Sequence, residues 1–168
     1  EHNQESKSSY IIHLLKEGNN LALVSDAGTP CISDPGYRLV KMCIENDIKV
    51  VPLPGASSFL TALSASGLPT DKFTFFGFPP QKKGRDEFFS ELIQHPYTSV
   101  IFESPHRIEK LFEKLIEYNE GERRLTVGRE LTKKFEEIFH GSAEEALVYF
   151  KHGNKIRGEF VVVLEGKG

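Results

Sequence analysis

The sequence predicts an α/β fold, and two observations carry that prediction. Short apolar runs rich in β-branched residues recur along the chain, and segments with the spacing of amphipathic helices lie between them. The clearest helical pattern is Ile108, Leu111, Phe112 and Leu115, where apolar side chains recur at i, i+3, i+4 and i+7. Strands that alternate with helices of this length favour helices packed on a mainly parallel sheet.

Each element is placed by its apolar pattern and by the turn residues that bound it. Strands are predicted at residues 21–25, 48–53, 73–76, 99–103, 125–129 and 159–164. Helices are predicted near residues 6–17, 37–45, 57–66, 86–94, 108–118 and 143–151. The best candidate for a domain boundary is the turn-rich stretch 66–71, which contains Gly67 and Pro69. We therefore expect one domain over residues 1–69 and a second over residues 70–168.

Composition and charge limit the classes of function. The 168 residues carry a formal net charge of -3, so a surface that attracts nucleic acid has to be local. Cys31 and Cys43 form neither a metal-ligand pattern nor a disulfide framework, as is typical of a reducing cytosol. No run approaches the roughly 20 apolar residues of a membrane span. We expect a cytoplasmic protein without a metal or a membrane partner.

The strongest functional signal is the loop of residues 25–37, which is crowded with Gly, Pro, Ser and Asp and follows the apolar run 21–24. In open α/β sheets, ligands bind just beyond the carboxyl ends of strands. Small residues let the backbone approach a ligand, while Asp and Ser add polar contacts. The loop lacks the Lys of a P-loop and the G-x-G-x-x-G of a dinucleotide fold, so neither nucleotide-binding class fits.

A second loop, residues 52–58, follows the next predicted strand. Pro54-Gly55 forms its turn, and Ser57 or Ser58 can cap the helix that follows. A plain helix cap would explain this loop if it stood alone. Two such loops after successive strands favour a shared ligand pocket.

Three further polar clusters lie at strand ends, in residues 102–107, 129–134 and 157–159. In the first, His106 and Arg107 fall in a first helical turn, where the helix dipole disfavours cations, and such a local conflict is typical of functional sites. Each cluster also has a non-functional alternative. These are a solvated surface pair for residues 102–107, an ion-pair network for 129–134 and a simple strand start for 157–159.

The motifs occur in a fixed order along almost the whole chain. They are Ser-Asp-Ala-Gly-Thr-Pro at 25–30, Ser-Asp-Pro-Gly-Tyr-Arg at 33–38, Pro-Leu-Pro-Gly at 52–55, the run 61–70, Glu-Ser-Pro-His-Arg at 103–107, Arg-Glu-Leu-Thr-Lys at 129–133 and Arg-Gly-Glu-Phe at 157–160. In this order they resemble the small-subunit ribosomal RNA 2′-O-methyltransferases, which belong to the tetrapyrrole-methylase (class III) superfamily.

The resemblance implies two α/β domains of the tetrapyrrole-methylase type, with a cleft for S-adenosylmethionine between them. It implies methylation of a cytidine ribose in small-subunit (16S) ribosomal RNA, with the RNA or the small ribosomal subunit as partner and a homodimer as assembly. The family's N-terminal strand motif is not found in the sequence, which opens on Glu1-His2 without a Met. We therefore expect an incomplete N-terminal domain and a chain that begins partway through a longer protein.

The resemblance also implies functional residues. It assigns cofactor contacts, many of them through the backbone, to Ala27, Gly28, Thr29, Ile32, Ser57, Ser58, Glu103, Ser104, Glu130, Leu131, Gly158 and Glu159. The residue that accepts the hydroxyl proton stays open among Asp26, Glu103, His106 and Glu130. Arg107, Arg129 and Lys133 are candidates for contact with an RNA phosphate or for activation of the hydroxyl group.

Two other functions stay open. One is methylation of a tetrapyrrole carbon, as in precorrin- or uroporphyrinogen-like substrates. The basic loop 82–85 and the motif 103–107 count against it. The other is a non-catalytic RNA-binding module. Solvated surface lysines explain the basic loop as readily as contact with a phosphate backbone does.

Overall fold

The computed structural model describes residues 2–118, 120–153 and 155–168, with side chains from residue 7 onward. By contacts it divides into two compact units, Glu1–Ser57 and Ser58–Gly168. The domain boundary expected after residue 69 stays a prediction for the full-length protein.

The first unit contains helix α1 (His2–Lys16) and helix α2 (Tyr37–Glu45), which pack against each other. Residues 21–25 and 48–53, predicted as buried strands, join no ladder with any residue that the structure describes. The strand prediction is wrong at both places, and Val24 and Val51 are 81% and 62% exposed. An apolar run becomes a strand when a neighbouring strand satisfies its N–H and C=O groups, and the run itself does not provide that neighbour.

The second unit contains the remaining helices and all strands among the described residues. In chain order they are α3 (Ser58–Ser64), β1 (Phe73–Gly77), α4 (Arg85–Gln94), β2 (Thr98–Glu103), α5 (Ile108–Glu117), β3 (Arg124–Arg129), β4 (Glu137–Ser142), α6 (Ala143–His152) and β5 (Phe160–Leu164). The sequence predicts all of these elements except β4, with ends that differ by one or two residues.

The strands form one sheet in the order β1-β2-β5-β3-β4. Strands β1 and β2 are parallel, whereas the pairs β2–β5, β5–β3 and β3–β4 are antiparallel. The expectation of a mainly parallel sheet is therefore wrong. The reason is that β5 enters between β2 and β3 in the opposite direction, and that residues 130–136 join β3 to β4 as a hairpin too short for a crossover helix.

The sheet carries a core on each face, because alternate side chains of a strand point to opposite sides. On one face, α4, α5 and α6 cover the sheet, and Ile108, Leu111, Phe112 and Leu115 of α5 are all 0% exposed. On the other face, α3 packs near Val161. Strand β5 is buried along its whole length, as its unbroken apolar sequence predicts for a central strand. No helix in the described ranges is long and apolar enough to span a bilayer.

The sequence does not predict strand β4 because its apolar signal is short, with Ile138 and Phe139 as its large apolar residues. It is one of the two outer strands of the sheet, with β1 at the opposite side, and it pairs with β3 along its whole length. The helix after it, α6, starts with a capping box. The Oγ of Ser142 accepts from the Glu145 N–H, and the Glu145 carboxylate accepts from the Ser142 N–H.

Candidate functional site

The sheet topology brings three of the polar clusters to one edge. Strands β2 and β3 end at Glu103 and Arg129, and β5, which runs the other way, begins at Phe160. In the ladders, Phe160 pairs with both Glu103 and Arg129. The segments 103–107, 129–134 and 157–159 therefore meet beyond the same end of the sheet, which we call the site edge.

Glu103 is the buried carboxylate of this edge, with a side chain that is 0% exposed. Its Oε1 accepts from the Ser104 N–H at 2.8 Å and forms an ion pair with Arg107, whose Nε lies 3.0 Å away. Its Oε2 is buried and has no hydrogen-bond partner among the described residues. Removing the ionic partner of a buried carboxylate is strongly destabilising, so Glu103 and Arg107 are treated as one ion pair.

Glu130, Lys133 and Glu159 form a hydrogen-bonded cluster of charged side chains at the site edge. Oε1 of Glu130 accepts from the Glu159 N–H at 2.9 Å and from Nζ of Lys133 at 3.0 Å. Nζ of Lys133 also lies 3.0 Å from Oε2 of Glu159. Glu130 has a φ of 51°, in the left-handed region, so the turn after β3 is locally strained. Strain of this kind persists where surrounding contacts fix the backbone, as this cluster does.

Gly158 is required by the same cluster. Its φ is +86°, and a Cβ atom there would overlap with Cγ and Cδ of Glu130. The glycine thus gives Glu130 the space in which to reach the Glu159 N–H. The sequence identifies residues 157–159 as a polar cluster before a buried strand, without identifying Glu130 as the side chain that lies against Gly158.

The hydrogen bonds of this cluster predict a pH dependence of stability. The Glu159 N–H, followed by Lys133, holds the pKa of the Glu130 carboxyl below its usual value of 4.5. A lowered folded-state pKa adds stability that is present above the unfolded-state value and is lost as the pH falls through the folded-state value. We expect Glu130→Gln to flatten the acid limb of a plot of unfolding free energy against pH below about 5.

Urea denaturation between pH 3 and 7 measures this effect, with Glu91→Gln as the matched control. Glu91 is exposed on α4 and forms no ion pair with another side chain in the described ranges. An acid limb that keeps its slope in Glu130→Gln would contradict the prediction.

Arg129 is a structural residue in this geometry. Its Nε lies 3.1 Å from Oε2 of Glu137, while Nη1 and Nη2 donate to the carbonyls of Arg157 and Phe135 at 3.3 and 3.4 Å. Lys155 also bonds to the Glu137 carboxylate. The ion-pair network, one of the alternatives for residues 129–134, accounts for Arg129. Sequence reasoning misses Glu137 because it lies on the unpredicted strand β4.

The two loops of the first unit lie against each other, and the ligand pocket expected between them stays a prediction. Oγ1 of Thr29 donates to the Ala56 carbonyl at 2.9 Å. Gly28 has a φ of +73°, and the Ala56 carbonyl lies 3.9 Å from the place a Cβ atom would occupy. Cys31 has a positive φ of 72°, so its loop is held in a conformation that L-residues rarely adopt. The loop is thus tied to residues 52–57 at a defined place.

The other predicted site residues divide into the two units. Ser57 belongs to the first unit, with Asp26, Ala27 and the 44% exposed Ile32. Ser58 starts α3 in the second unit. Leu131 is 7% exposed and packs in the core near α3, so a ligand contact there has to be through its backbone. His106 is exposed beside Arg107.

The loop of the first unit has backbone groups that fit a small zwitterionic ligand. No hydrogen bond within the described segments uses the N–H groups of Ala27 and Gly28, whereas the Ser25 hydroxyl donates to the Ala27 carbonyl at 3.2 Å. Unused N–H groups in a glycine-containing loop suit the carboxylate of such a ligand, and backbone carbonyl oxygens suit its ammonium group.

A feature that the sequence analysis does not single out is Phe78, which follows β1 directly. It is 51% exposed, and its ring centroid lies 5.4 Å from that of Phe102. Since β1 runs parallel to β2, Phe78 and the exposed Lys82 and Lys83 after it leave the sheet at the site edge. The sequence signal that points to this feature is an aromatic residue followed closely by lysines. This combination is typical of contacts with single-stranded nucleic acid.

Comparison with known proteins identifies the family. A profile of the family described as Tetrapyrrole (Corrin/Porphyrin) Methylases matches residues 1–147. Ribosomal RNA small subunit methyltransferase I of Halalkalibacterium halodurans is 46% identical over 169 residues, which cover 100% of this chain and 58% of that protein. The chain therefore spans little more than half the length of this relative.

Solved structures show the same fold at low sequence identity. Cobalt precorrin-4 methyltransferase, a cobalamin biosynthetic enzyme, has a TM-score of 0.68 at 17% identity, and the match covers 96% of this chain and 70% of that one. Uroporphyrin-III C-methyltransferase of Thermus thermophilus, solved with S-adenosyl homocysteine, has a TM-score of 0.55 at 18% identity over 95% of this chain and 73% of that one. These likenesses confirm the predicted fold class.

Proposed function

The chain belongs to the tetrapyrrole methylase family, and we propose that the full-length protein transfers a methyl group from S-adenosylmethionine to a cytidine 2′-hydroxyl in small-subunit ribosomal RNA. The main support for this substrate is the similarity, over the whole of this chain, to a protein named as a ribosomal RNA methyltransferase. The arrangement of the site edge agrees with it.

The observation that carries the proposal is the meeting of three sequence-distant polar segments at the site edge, with cations and an exposed aromatic ring beside them. Arg107, Lys82 and Lys83 supply positive charge in a chain whose net charge is -3. Phe78 supplies a flat apolar surface on which a base can stack. Local positive charge beside an aromatic ring suits the phosphates and bases of an RNA strand.

S-adenosylmethionine supplies an electrophilic methyl group on a positively charged sulfur. We propose that the backbone around Ala27 and Gly28 binds the methionine end of this cofactor. In-line displacement requires the hydroxyl oxygen to be fixed opposite the sulfur, so the contribution of these residues is alignment.

The proton of the 2′-hydroxyl has to leave toward an acceptor, and two of the four candidates have contacts that argue against this role. Glu130 has a lowered pKa because it accepts from the Glu159 N–H and from Lys133, which makes it a weak proton acceptor. Glu103 is fully buried and bound to Arg107. We therefore keep Asp26 and His106, whose side chains are exposed, as the candidate acceptors.

The proposal is tested with the full-length protein. We expect calorimetry to show binding of S-adenosylmethionine, and primer extension on ribosomal RNA from a deletion strain to show the loss of one ribose methyl group on a cytidine. Restoration by the wild-type gene is the control. Retention of every such methyl group in the deletion strain would refute the RNA substrate, and an absence of cofactor binding would refute the enzyme itself.

We further propose that the protein acts in the cytoplasm as a homodimer, as the resemblance implies. Contact with ribosomal RNA requires this location, and the free cysteines Cys31 and Cys43 suit it. Sedimentation equilibrium of the full-length protein tests the dimer, and a mass equal to one chain at all concentrations would exclude it.

A further inference from the structure

Arg107 is held through its Nε atom, and its terminal nitrogens remain available. Nε lies 3.0 Å from Oε1 of Glu103 and 3.3 Å from Oγ of Ser104. No residue in the described segments bonds to Nη1 or Nη2, and the side chain keeps 23% of its surface exposed. The two terminal nitrogens of a guanidinium are the pair that grips an oxyanion in a bidentate manner.

The other fixed cations of the site edge have their nitrogens engaged more fully than Arg107 does. Arg129 uses all three of its nitrogens on Glu137 and on backbone carbonyls. Lys133 is shared between the carboxylates of Glu130 and Glu159. Arg107 differs from both because its single carboxylate partner takes the inner nitrogen and leaves the outer pair.

Glu103 is placed to orient this arginine and is too deeply buried to meet a large ligand itself. Its carboxylate is 0% exposed, and Oε1 makes both of its described bonds. The buried position fixes the direction of Nε, and with it the plane of the guanidinium of Arg107. A planar group held at one atom loses little further freedom when it binds, which favours affinity.

We propose that Arg107 binds a phosphate of the substrate RNA backbone and that Glu103 is the positioning residue that holds Arg107 for this contact. This inference rests on the proposed function and deepens it. The RNA phosphate is favoured over the carboxylate of the cofactor because exposed basic residues, His106, Lys82 and Lys83, leave the sheet at the same edge. A nucleic-acid backbone is bound through several spaced cations, whereas one carboxylate needs a single one.

The test compares Arg107→Gln with Arg124→Gln in the full-length protein. Arg124 is 70% exposed, pairs with Glu165 and lies at the opposite end of β3, so it is a matched removal of one positive charge. Affinity for a transcript of the small-subunit ribosomal RNA is measured against KCl concentration, and affinity for S-adenosylmethionine is measured by calorimetry.

We expect Arg107→Gln to weaken RNA binding about tenfold and to reduce the slope of log K against log salt by about 0.7 to 0.9. Cofactor affinity should stay within about twofold, and Arg124→Gln should change neither quantity. A loss of cofactor affinity with an unchanged salt slope would overturn the proposal, because Arg107 would then serve the cofactor. A failure of the wild-type protein to bind either ligand would instead refute the proposed function.

A double-mutant cycle tests the role of Glu103. If Glu103 acts through Arg107, Glu103→Gln weakens RNA binding in the wild-type background and has no further effect in Arg107→Gln. Equal losses in both backgrounds would show a general structural role and would overturn the positioning role. Far-UV circular dichroism of each variant verifies that it is folded.

Discussion

Gly158→Ala is expected to lower the free energy of unfolding by about 2 to 4 kcal/mol, because it combines two costs. An alanine at a φ of +86° is held in the left-handed region, which costs about 1 to 2 kcal/mol. The new Cβ atom would also occupy the space of Glu130, since it would overlap with Cγ and Cδ of that side chain. Glu130 then has to give up its bonds to the Glu159 N–H and to Lys133.

The matched control is Gly67→Ala, which isolates the first cost. Gly67 has a φ of +69°, and nothing lies within 4 Å of the position that a Cβ atom would take, so this variant should lose about 1 to 2 kcal/mol. Urea denaturation followed by far-UV circular dichroism measures both variants. Equal losses would show that Glu130 moves aside at no cost, contrary to the structural role assigned to the cluster.

Phe112→Ala is expected to cost about 3 to 5 kcal/mol, because it removes a large side chain from the centre of the core. Phe112 is 0% exposed, and its ring stacks on that of Phe150 at a centroid distance of 6.3 Å. Phe150 in turn contacts Phe160 at the start of β5. The cavity would therefore weaken the support of α5 and α6 on the sheet next to the site edge.

Phe135→Ala provides the comparison for this variant. Its ring is 65% exposed, so truncation should change stability by no more than about 0.5 kcal/mol. The stability of a typical domain is about 5 to 15 kcal/mol, so Phe112→Ala takes a large part of it. A loss below about 1 kcal/mol for Phe112→Ala, measured by the same urea titration, would mean that the core refills the space.

Most elements of the second unit follow from local sequence. Helix α5 is predictable because burial on one side imposes the spacing of Ile108, Leu111, Phe112 and Leu115. The direction of the strands is not predictable from local sequence, since nothing within β5 indicates that it lies between β2 and β3. Pairing depends on residues that are far apart in the chain. The unbroken apolar run of β5 is typical of a parallel strand, but here it reflects burial on both faces of a strand with two antiparallel neighbours.

The candidate site, too, is predictable in part from local sequence and in part only from strand pairing. The sequence identifies the segments 103–107, 129–134 and 157–159, because polar residues and glycine follow or precede buried strands there. It does not distinguish Arg129 from Arg107. Glu103 takes only Nε of Arg107, whereas Glu137 on the hairpin strand β4 and two backbone carbonyls occupy all three nitrogens of Arg129. Roles that depend on a partner in another strand become visible when the register is known.

The central position of β5 has a consequence for the order of folding. Strands β1 and β2 form one pair, β3 and β4 form another, and β5 is the strand that joins them although it follows both in sequence. The two pairs can form early from nearby residues, but the continuous sheet has to wait for residues 160–164. Pairing between strands that are far apart in the sequence is slow, because a long loop has to close first. During synthesis on the ribosome, the inner edges of β2 and β3 therefore stay open until β5 emerges, and they are the edges most prone to wrong pairing.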